Sequence, residues 1–404
     1  MKKRIGLGRD IFKNLIEEEC YYIDKTKFIE EIFKEIGKTI LFTRLRISGK
    51  TLNLTMLKSF FDIKKADENR KLFRNLYIEN SPIMKEQGKY PVIFLSMFYV
   101  DSEESFKYRI SDLYRDFYYI TENLDERELK IFDEICFKES ENISDYSLKP
   151  LMKMLKEYYN EKVILLIDEY DAPLVKGHKK GKYGEIYKLL DNFYGETLKE
   201  NEYLKFAVVT GVENFVFNSV NNICSYGVLD KKYSEYFGVT EKELDKILND
   251  FDQSKNKKEI EKWYGGYKFG ENKIYNVCSI LRFLSHKNEF QVYWREGGSE
   301  NYFIKYMIEK FSYVNFLEKL ANGENLEVNL KNVITEFEIE NGSAFFTFMV
   351  SRGFLTVEEK IDHQTYLVKI PNEEVSKFFK KLFIPLCMKE KDNKRYRKLS
   401  LEYL

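Results

Sequence analysis

The stretch "TILFTRLRISGKTLNLTMLKSFF", residues 39–61, decides the fold, because it consists of an apolar strand pattern, a polar loop and a helix pattern in that order. The loop ends in Gly-Lys-Thr at 49–51, and the same tripeptide also occurs at 37–39. A phosphate-binding loop follows a strand and opens a helix, so that backbone N–H groups and the helix dipole face the phosphates. Only the second copy has that order, and the first is expected to be a turn.

The helix pattern after the loop shows an apolar face formed by Leu52, Met56 and Phe60, with Leu57 and Phe61 beside them. A Gly-Lys-Thr tripeptide is weak evidence alone in a lysine-rich chain, and the strand before it and the helix after it strengthen the assignment. The predicted nucleotide contacts are the loop and the first helical turn. They are Arg44, Arg46, Ser48, Gly49, Lys50, Thr51 and Leu52.

A second motif, "VILLIDEYDAPL" at 163–174, is an apolar strand pattern that ends in two carboxylates. In a P-loop ATPase, Asp168 would hold Mg²⁺ beside the Thr51 hydroxyl, and Glu169 would polarise the attacking water. A third strand pattern, "LKFAVVT", ends at Thr210, where such enzymes place a polar residue facing the γ-phosphate. The alternative reading of the second motif is a buried strand that runs into an acidic turn.

These motifs give a set of expected roles. The predicted catalytic residues are Glu169, Lys50 and Thr210, the predicted metal ligands are Thr51 and Asp168, and the predicted cofactors are ATP and Mg²⁺. Lys50 is placed to reach the β- and γ-phosphates.

The domain organisation follows from a change of pattern along the chain. Apolar strands alternate with helices to about residue 240, which predicts an α/β fold with a parallel sheet covered on both faces. Beyond that point the pattern is mainly α-helical, and it predicts a hairpin in "GFLTVEEKIDHQTYLVKI" and an aromatic turn in "WYGGYKFG". We expect a P-loop domain at 4–245 and a second domain at 246–404. Its helix–hairpin–helix order at 343–384 would suit a winged-helix unit.

Composition limits the partners. The chain contains 66 basic residues (lysine and arginine) and 66 acidic residues (aspartate and glutamate). The protein as a whole therefore has no excess of positive charge that would attract nucleic acid or an anionic membrane. The longest strongly apolar stretch, Pro91–Val100, is too short to span a bilayer. We therefore expect a cytoplasmic protein with reduced, scattered cysteines and no metal–histidine site.

Eight stretches in fixed order, between about residue 4 and residue 380, carry a family resemblance. They are "YYIDKTKFIEEI" (21–32), "LFTRLRISGKTLNLTMLKSFFDI" (41–63), "VILLIDEYDAPL" (163–174), "FAVVTGV" (206–212), "YFGVTEKEL" (236–244), "WYGGYKFG" (263–270), "IYN" (274–276) and "KIPNEEV" (369–375). The sequence resembles the bacterial AAA-ATPase-like family, whose members often carry a PD-(D/E)xK nuclease domain after the ATPase. The general phosphate-loop consensus is Gly-x4-Gly-Lys-[Ser/Thr], and its first glycine would fall at position 44. That family usually has Arg-Pro-Arg-Arg-Phe-Gly-Lys-[Ser/Thr] instead, so the resemblance implies that an arginine at this position, Arg44 here, is usual for the family.

Two departures from the family bear on activity. Leu45, Ile47 and Ser48 stand where the family usually has Pro, Arg and Phe, so one loop cation is lost. The segment "ENFVFNSVNN", 213–222, has no cation where family members have a longer basic helix. Because a charge that neutralises the transition state is worth about 10³- to 10⁵-fold in rate, we predict weak hydrolysis.

The nuclease domain is expected to be missing, because only 34 residues follow Ile370. Glu358 and Lys360 match Glu-x-Lys only superficially, and a charged hairpin turn is the favoured reading. The loop "KGHKKGK", 176–182, is expected to be solvated, because no aromatic side chains are interleaved with its lysines. Nucleic-acid binding is thus weakly supported.

The predicted function is Mg²⁺-dependent ATP binding with weak hydrolysis, together with a protein partner or a homo-oligomer. Two alternatives stay open. One is a non-hydrolysing pseudo-ATPase that serves as an interaction module, and the other is the ATPase half of a split nuclease or defence system.

Overall fold

The computed structural model describes residues 4–137, 146–220, 222–293, 302–311 and 313–392, with side chains up to residue 385. The central sheet is built from five strands. They are β1 (Thr39–Thr43), β2 (Val92–Ser96), β3 (Val163–Asp168), β4 (Leu204–Gly211) and β5 (Ile223–Tyr226). Their order in space is β2-β3-β4-β1-β5, and every neighbouring pair is parallel.

The strands of this sheet are apolar on both faces because helices cover both sides. Every residue of β1 and of β3 is buried, as expected for a parallel sheet between helical layers. The helices of this part are α1 (Phe12–Glu17), α2 (Lys27–Lys34), α3 (Lys50–Phe61), α4 (Ala66–Arg70), α5 (Glu103–Arg115), α6 (Glu126–Cys136), α7 (Lys149–Tyr159), α8 (Ala172–Lys179) and α9 (Tyr183–Leu198). This architecture confirms the predicted α/β fold class.

The strand order determines where the motifs meet. Strand β4 lies between β1 and β3, so the carboxyl ends of these three strands adjoin. The phosphate loop follows β1, the acidic pair ends β3, and Thr210 lies near the end of β4. Three segments that are far apart in sequence are thereby brought to one edge of the sheet.

The C-terminal part is mainly helical and contains two small antiparallel sheets, in the orders β6-β8-β7 and β10-β11-β9. The strands are β6 (Val239–Thr240), β7 (Tyr267–Phe269), β8 (Asn272–Tyr275), β9 (Leu326–Asn329), β10 (Thr356–Lys360) and β11 (Thr365–Lys369). The helices are α10 (Glu241–Asp250), α11 (Lys257–Tyr264), α12 (Val277–Ser285), α13 (Tyr302–Phe311), α14 (Val314–Ala321), α15 (Glu336–Glu340), α16 (Phe345–Ser351) and α17 (Glu373–Asp392). The predicted hairpin is therefore confirmed as β10–β11.

The two parts of the chain share their hydrophobic cores. One core joins Leu41 and Ile93 of the central sheet to Phe348 of α16 and Phe379 of α17. On the α3 side, Phe42 belongs to a second core that also takes in side chains from β7, β8 and α17. The predicted boundary at 245–246 therefore falls between segments whose buried side chains pack together.

The aromatic turn "WYGGYKFG" forms β7 and the start of the β7–β8 hairpin. Gly266 has a φ of 81°, and a Cβ at this position would lie 1.9 Å from the carbonyl oxygen of Pro371. Only glycine fits so close an approach. Tyr267 and Phe269 are buried in the core on the α3 side, so this turn packs the C-terminal part onto the sheet.

Helix α3 buries its predicted apolar residues Met56, Leu57, Phe60 and Phe61, and its burial extends beyond them. Helix α3 buries residues around most of its circumference, including Asn53, Leu54 and Thr55, whereas Leu52 is only partly buried. The predicted single apolar face is too narrow because the phosphate loop, the sheet and α1 enclose the helix. The segment after β4, where family members have a basic helix, forms no helix over 212–220 and makes a parallel bridge between Phe215 and Ile334.

The helix–hairpin–helix order expected at 343–384 corresponds to α16, the β10–β11 hairpin and α17. A winged-helix role for this segment stays a prediction. Helix α16 would be its groove-reading helix. Phe345, Phe348 and Met349 of α16 are buried, and Arg352, which follows α16, is bonded to Glu213. This helix thus faces the core of the protein.

Candidate functional site

The phosphate loop runs from Arg44 to Gly49 and turns through two residues with positive φ. Ile47 has a φ of 57° and Gly49 a φ of 91°. The Ser48 carbonyl accepts a hydrogen bond from the Gly238 backbone N–H at 2.9 Å, and the Asn53 Nδ2 atom donates to the Tyr236 carbonyl at 2.9 Å. The loop and the first turn of α3 are therefore braced by the segment that leads into α10.

Lys50 lies at the start of α3 with its side chain folded into the loop. Its Nζ atom donates to the carbonyl of Arg44 at 3.1 Å and to that of Leu45 at 3.0 Å. The residue is buried, and an ammonium in this position needs such oxygen acceptors. Phosphate oxygens also accept hydrogen bonds, and their negative charge makes a hydrogen bond from an ammonium stronger than one to a carbonyl.

Asp168 collects two hydroxyl groups at the edge of the sheet. Its Oδ2 atom accepts from Thr51 Oγ1 at 2.7 Å, and its Oδ1 atom accepts from Thr210 Oγ1 at 2.6 Å. The structure thus brings together the three residues that the sequence predicts around the metal and the γ-phosphate. A carboxylate beside a hydroxyl is a hard oxygen set of the kind that Mg²⁺ uses, with phosphates and waters completing the octahedron.

Glu169 follows Asp168 in a left-handed conformation, with a φ of 55°. Such a backbone is costly for a residue other than glycine and is found where surrounding contacts impose it. Glu169 lines a cavity of about 380 Å³ together with Arg46, Lys50 and Thr51. The predicted water-polarising carboxylate therefore faces the same space as the phosphate loop.

Asp171 ties the loop after β3 to the loop after β4. Its buried Oδ2 atom accepts from the backbone N–H groups of Val212 at 3.1 Å and Glu213 at 2.8 Å. Burial, and secondarily the nearby Glu169 charge, raise the pKa of Asp171 to about 6. The Tyr170 hydroxyl adds a second tie, because it donates to the Glu213 carbonyl at 2.8 Å.

Glu213 extends these ties to the C-terminal part. Its fully buried carboxylate accepts from Arg352 Nε at 2.8 Å and from Ser351 Oγ at 2.6 Å. Burial raises the pKa of Glu213 to about 7, although Arg352 opposes the shift. Sequence reasoning did not identify Asp171, Glu213 or Arg352. Asp171 lies inside the quoted "VILLIDEYDAPL" stretch, whereas the pairing of Glu213 with Arg352 spans 139 positions.

The structure places Arg44 outside this cavity, in contrast to its predicted role as a loop cation. Its guanidinium is fully buried, donates to the carbonyl of Gly227, and stacks at 5.2 Å from the Phe237 ring centroid and 5.6 Å from that of Phe269. Its side chain therefore holds neighbouring segments in place, and only its backbone carbonyl contacts Lys50.

The remaining predicted contacts lie in or beside the cavity. Arg46, Ser48, Gly49 and Leu52 all line it. The buried Ser48 Oγ atom has no hydrogen-bond partner in the structure, so this hydroxyl is available to an acceptor such as a phosphate oxygen.

Apolar side chains also line the cavity, and they come from segments that sequence reasoning had not placed at the site. Leu7, Ile23, Val277 and Leu281 are among its lining residues. Ile23 belongs to the "YYIDKTKFIEEI" stretch that carries part of the family resemblance, and this stretch could have indicated that the segment lies at the site. The cavity thus combines polar and apolar lining residues, as small-molecule sites commonly do.

The two residues that match the nuclease pattern Glu-x-Lys, Glu358 and Lys360, lie in a charged β-hairpin. Glu358 and Lys360 are exposed on β10, and Lys369 of β11 forms an ion pair with Glu358. Across the described ranges, no three His, Cys, Asp or Glu side chains are grouped to hold a metal ion. None of the helices described in full combines the length and apolar character that crossing a bilayer requires.

Comparisons with known proteins identify the family to which the chain belongs. A family model described as predicted AAA-ATPase matches residues 6–221, more than half of the chain, which confirms the resemblance derived from the motifs. An uncharacterized protein in the vnfD 5′ region of Azotobacter chroococcum is 26% identical over 385 residues, covering 93% of this chain and 68% of the relative. Among solved structures, the Walker-type ATPase PABY2304 of Pyrococcus abyssi has a TM-score of 0.44 at 12% identity, covering 90% of this chain and 97% of that one.

Proposed function

Because the chain belongs to the predicted AAA-ATPase family, we propose that it binds ATP with Mg²⁺ and hydrolyses it slowly. The observation that carries the proposal is the Asp168 carboxylate, which holds the hydroxyls of Thr51 and Thr210 at 2.7 and 2.6 Å beside the phosphate loop. The first turn of α3 and the ends of β3 and β4 thus meet at this one carboxylate. Its neighbour Glu169 faces the same cavity as Lys50.

Each residue has a defined task in this proposal. Lys50 exchanges its two carbonyl acceptors for β- and γ-phosphate oxygens, and the loop N–H groups and the α3 dipole add to the binding. Thr51 and Asp168 would hold Mg²⁺, which when bound neutralises phosphate charge. Glu169 orients a water and takes its proton, and Thr210 fixes the Asp168 carboxylate through a hydrogen bond.

Slow turnover is proposed because positive charge near the γ-phosphate is scarce. Asn214, in the cation-free segment, lines a different cavity with Lys331 and Ile334, and its Nδ2 atom donates to the Asn332 carbonyl. Arg352 approaches the same segment but is bonded to Glu213. Without a further cation beside Lys50 and Arg46, the transition state is stabilised less relative to the bound ground state.

The absence of a cation in the segment 213–222 also favours a second candidate function. This is a pseudo-ATPase, in which the bound nucleotide is not hydrolysed and only stabilises one conformation. The retained Glu169 supports hydrolysis, and the absent cation supports this alternative. The ATPase half of a split nuclease system remains a third proposal, for which a nuclease reading frame directly downstream would be the evidence.

One experiment tests the proposal. MgATP is titrated into the purified chain by calorimetry, and released phosphate is measured on the same sample. Saturable binding with slow phosphate release is the expected result. Binding without release would favour the pseudo-ATPase, and absence of binding would refute both.

A further inference from the structure

The helix that follows the acidic strand end carries a run of positive charge. Residues 172–182 contain four lysines and no acidic residue. The lysines are Lys176, Lys179, Lys180 and Lys182. In sequence no aromatic side chain is interleaved with these lysines, and for that reason we predicted a solvated loop, whereas residues 176–179 belong to α8.

The fold supplies the missing aromatic side chains from a segment about 80 positions away. Phe98 and Tyr99 follow β2 and are 39% and 80% exposed, with ring centroids 5.0 Å apart and an interplanar angle of 89°. The Lys176 Nζ atom lies 4.7 Å from the Phe98 centroid and 6.0 Å from the Tyr99 centroid, and it donates to the Phe98 carbonyl. Lys180 pairs with Asp101 at 2.8 Å.

We call Phe98, Tyr99, Lys176 and Lys180 the aromatic–lysine patch. The patch is attached to the strand end that carries Asp168, because the backbone N–H of Met97, next to Phe98, donates to the Asp168 carbonyl at 2.9 Å. The patch therefore lies beside the proposed ATPase site, on the side of β2.

The chemistry of this patch matches a single-stranded nucleic acid. Exposed aromatic rings stack unpaired bases, and neighbouring cations hold the phosphate backbone. A duplex hides the base faces that such rings need. A protein partner fits less well, because lysine is depleted from the cores of protein interfaces.

The charge of Lys180 is available to phosphates. The Lys180–Asp101 pair is exposed on both sides, at 51% and 36%, and an ion pair of this kind contributes little to stability. A phosphate can therefore replace Asp101 as the partner of Lys180. We propose that the aromatic–lysine patch binds single-stranded DNA or RNA, one base stacking on Tyr99 and adjacent phosphates contacting Lys176 and Lys180.

The first test measures the stacking contribution. Fluorescence anisotropy of labelled 12-nucleotide single-stranded DNA and RNA probes, without ATP, follows their binding to the full chain. Tyr99→Ala should weaken binding by about 5- to 100-fold, the range for loss of one stacked base. The control Tyr118→Ala removes another exposed ring, 53% accessible, and should leave the affinity unchanged.

The second test counts phosphates. Replacing Lys176 and Lys180 together with alanine should reduce the slope of log affinity against log salt concentration by about 1.4, the value for two phosphates on a single strand. Tyr99→Ala should keep the wild-type slope. The matched control replaces Lys242 and Lys246, which have the same spacing on α10.

Three results would overturn the proposal. They are the absence of oligonucleotide binding by the wild-type chain, equal binding by the wild type and the patch variants, and self-association of the wild type that Tyr99→Ala abolishes. The assay contains no ATP, so a failure of the proposed ATPase function does not affect its outcome.

Discussion

Asp168 is the residue on which the candidate site depends. Its two carboxylate oxygens accept hydrogen bonds from hydroxyls on two different segments, so its geometry is fixed before any ligand arrives. Preorganised groups of this kind need little rearrangement when charge develops during a reaction. The same preorganisation places Glu169 in a strained backbone conformation, which ties the position of the proposed base to that of the proposed metal ligand.

Replacing Lys50 with alanine should weaken MgATP binding at least tenfold, or about 1.4 kcal/mol. The ammonium is the charge that the loop offers to the β- and γ-phosphates. Because Lys50 also satisfies two loop carbonyls, we expect the nucleotide-free variant to lose about 1 kcal/mol of stability as well. Calorimetry and urea unfolding measure the two effects. Lys38→Ala, in the other Gly-Lys-Thr tripeptide, is the control and should change neither, and an unchanged affinity in Lys50→Ala would refute the phosphate-loop assignment.

Glu169→Gln should keep ATP affinity and abolish turnover. The amide preserves the size of the side chain but cannot accept the proton of the attacking water. Phosphate release and calorimetry on the same preparation separate the two quantities. A variant that hydrolyses ATP at the wild-type rate would show that another group acts as the base.

At the scale of elements, the phosphate loop, the acidic strand end and the α/β class follow from sequence because each is a local pattern. A strand pattern, a glycine and a helix start lie within residues 39–61, so local preferences already specify their arrangement. The side-chain direction of Arg44 is not a local property, because the aromatic pocket that holds it comes from Phe237 and Phe269. For the same reason, the Glu213–Arg352 pair and the apolar residues that line the cavity were not predicted.

The Glu213–Arg352 pair yields a prediction about the contact between β4 and α16. Arg352→Met leaves the buried Glu213 carboxylate without its cation and should cost about 3–5 kcal/mol at pH 8. The double variant with Glu213→Gln should recover most of this loss, because no uncompensated charge remains. Urea unfolding of the wild type, both single variants and the double variant measures the coupling.

The cost of Arg352→Met should also depend on pH. The folded pKa of Glu213, about 7, lies above its ordinary value of 4.5. The folded chain therefore holds this proton more tightly, and the group makes the protein less stable as pH rises from about 4.5 to 7. Without Arg352 the pKa rises further, so the variant should be less impaired at pH 5 than at pH 8. Equal loss at both pH values would contradict a buried, ionised Glu213.

At the scale of the whole molecule, the C-terminal part closes over the P-loop part. Leu45 of the phosphate loop shares a core with Tyr267 of β7, and the Tyr267 hydroxyl donates to the Gly353 carbonyl at 3.2 Å. A nucleotide bound to the phosphate loop would therefore stabilise residues against which the C-terminal part packs. We infer that the predicted domains at 4–245 and 246–404 unfold together.

This inference can be tested with the chain's own fluorescence, because both tryptophans, Trp263 and Trp294, lie after residue 245, whereas the phosphate loop lies before it. A ligand present at a hundred times its Kd stabilises the part that binds it by about 2.7 kcal/mol. If the two parts unfold as one unit, saturating MgATP should shift the tryptophan-reported urea midpoint by the same amount as the midpoint from far-ultraviolet circular dichroism. In Lys50→Ala, the same MgATP concentration should shift both midpoints much less. A tryptophan midpoint that MgATP leaves unchanged, while the circular dichroism signal splits into two transitions, would show two independently folding domains despite the shared cores.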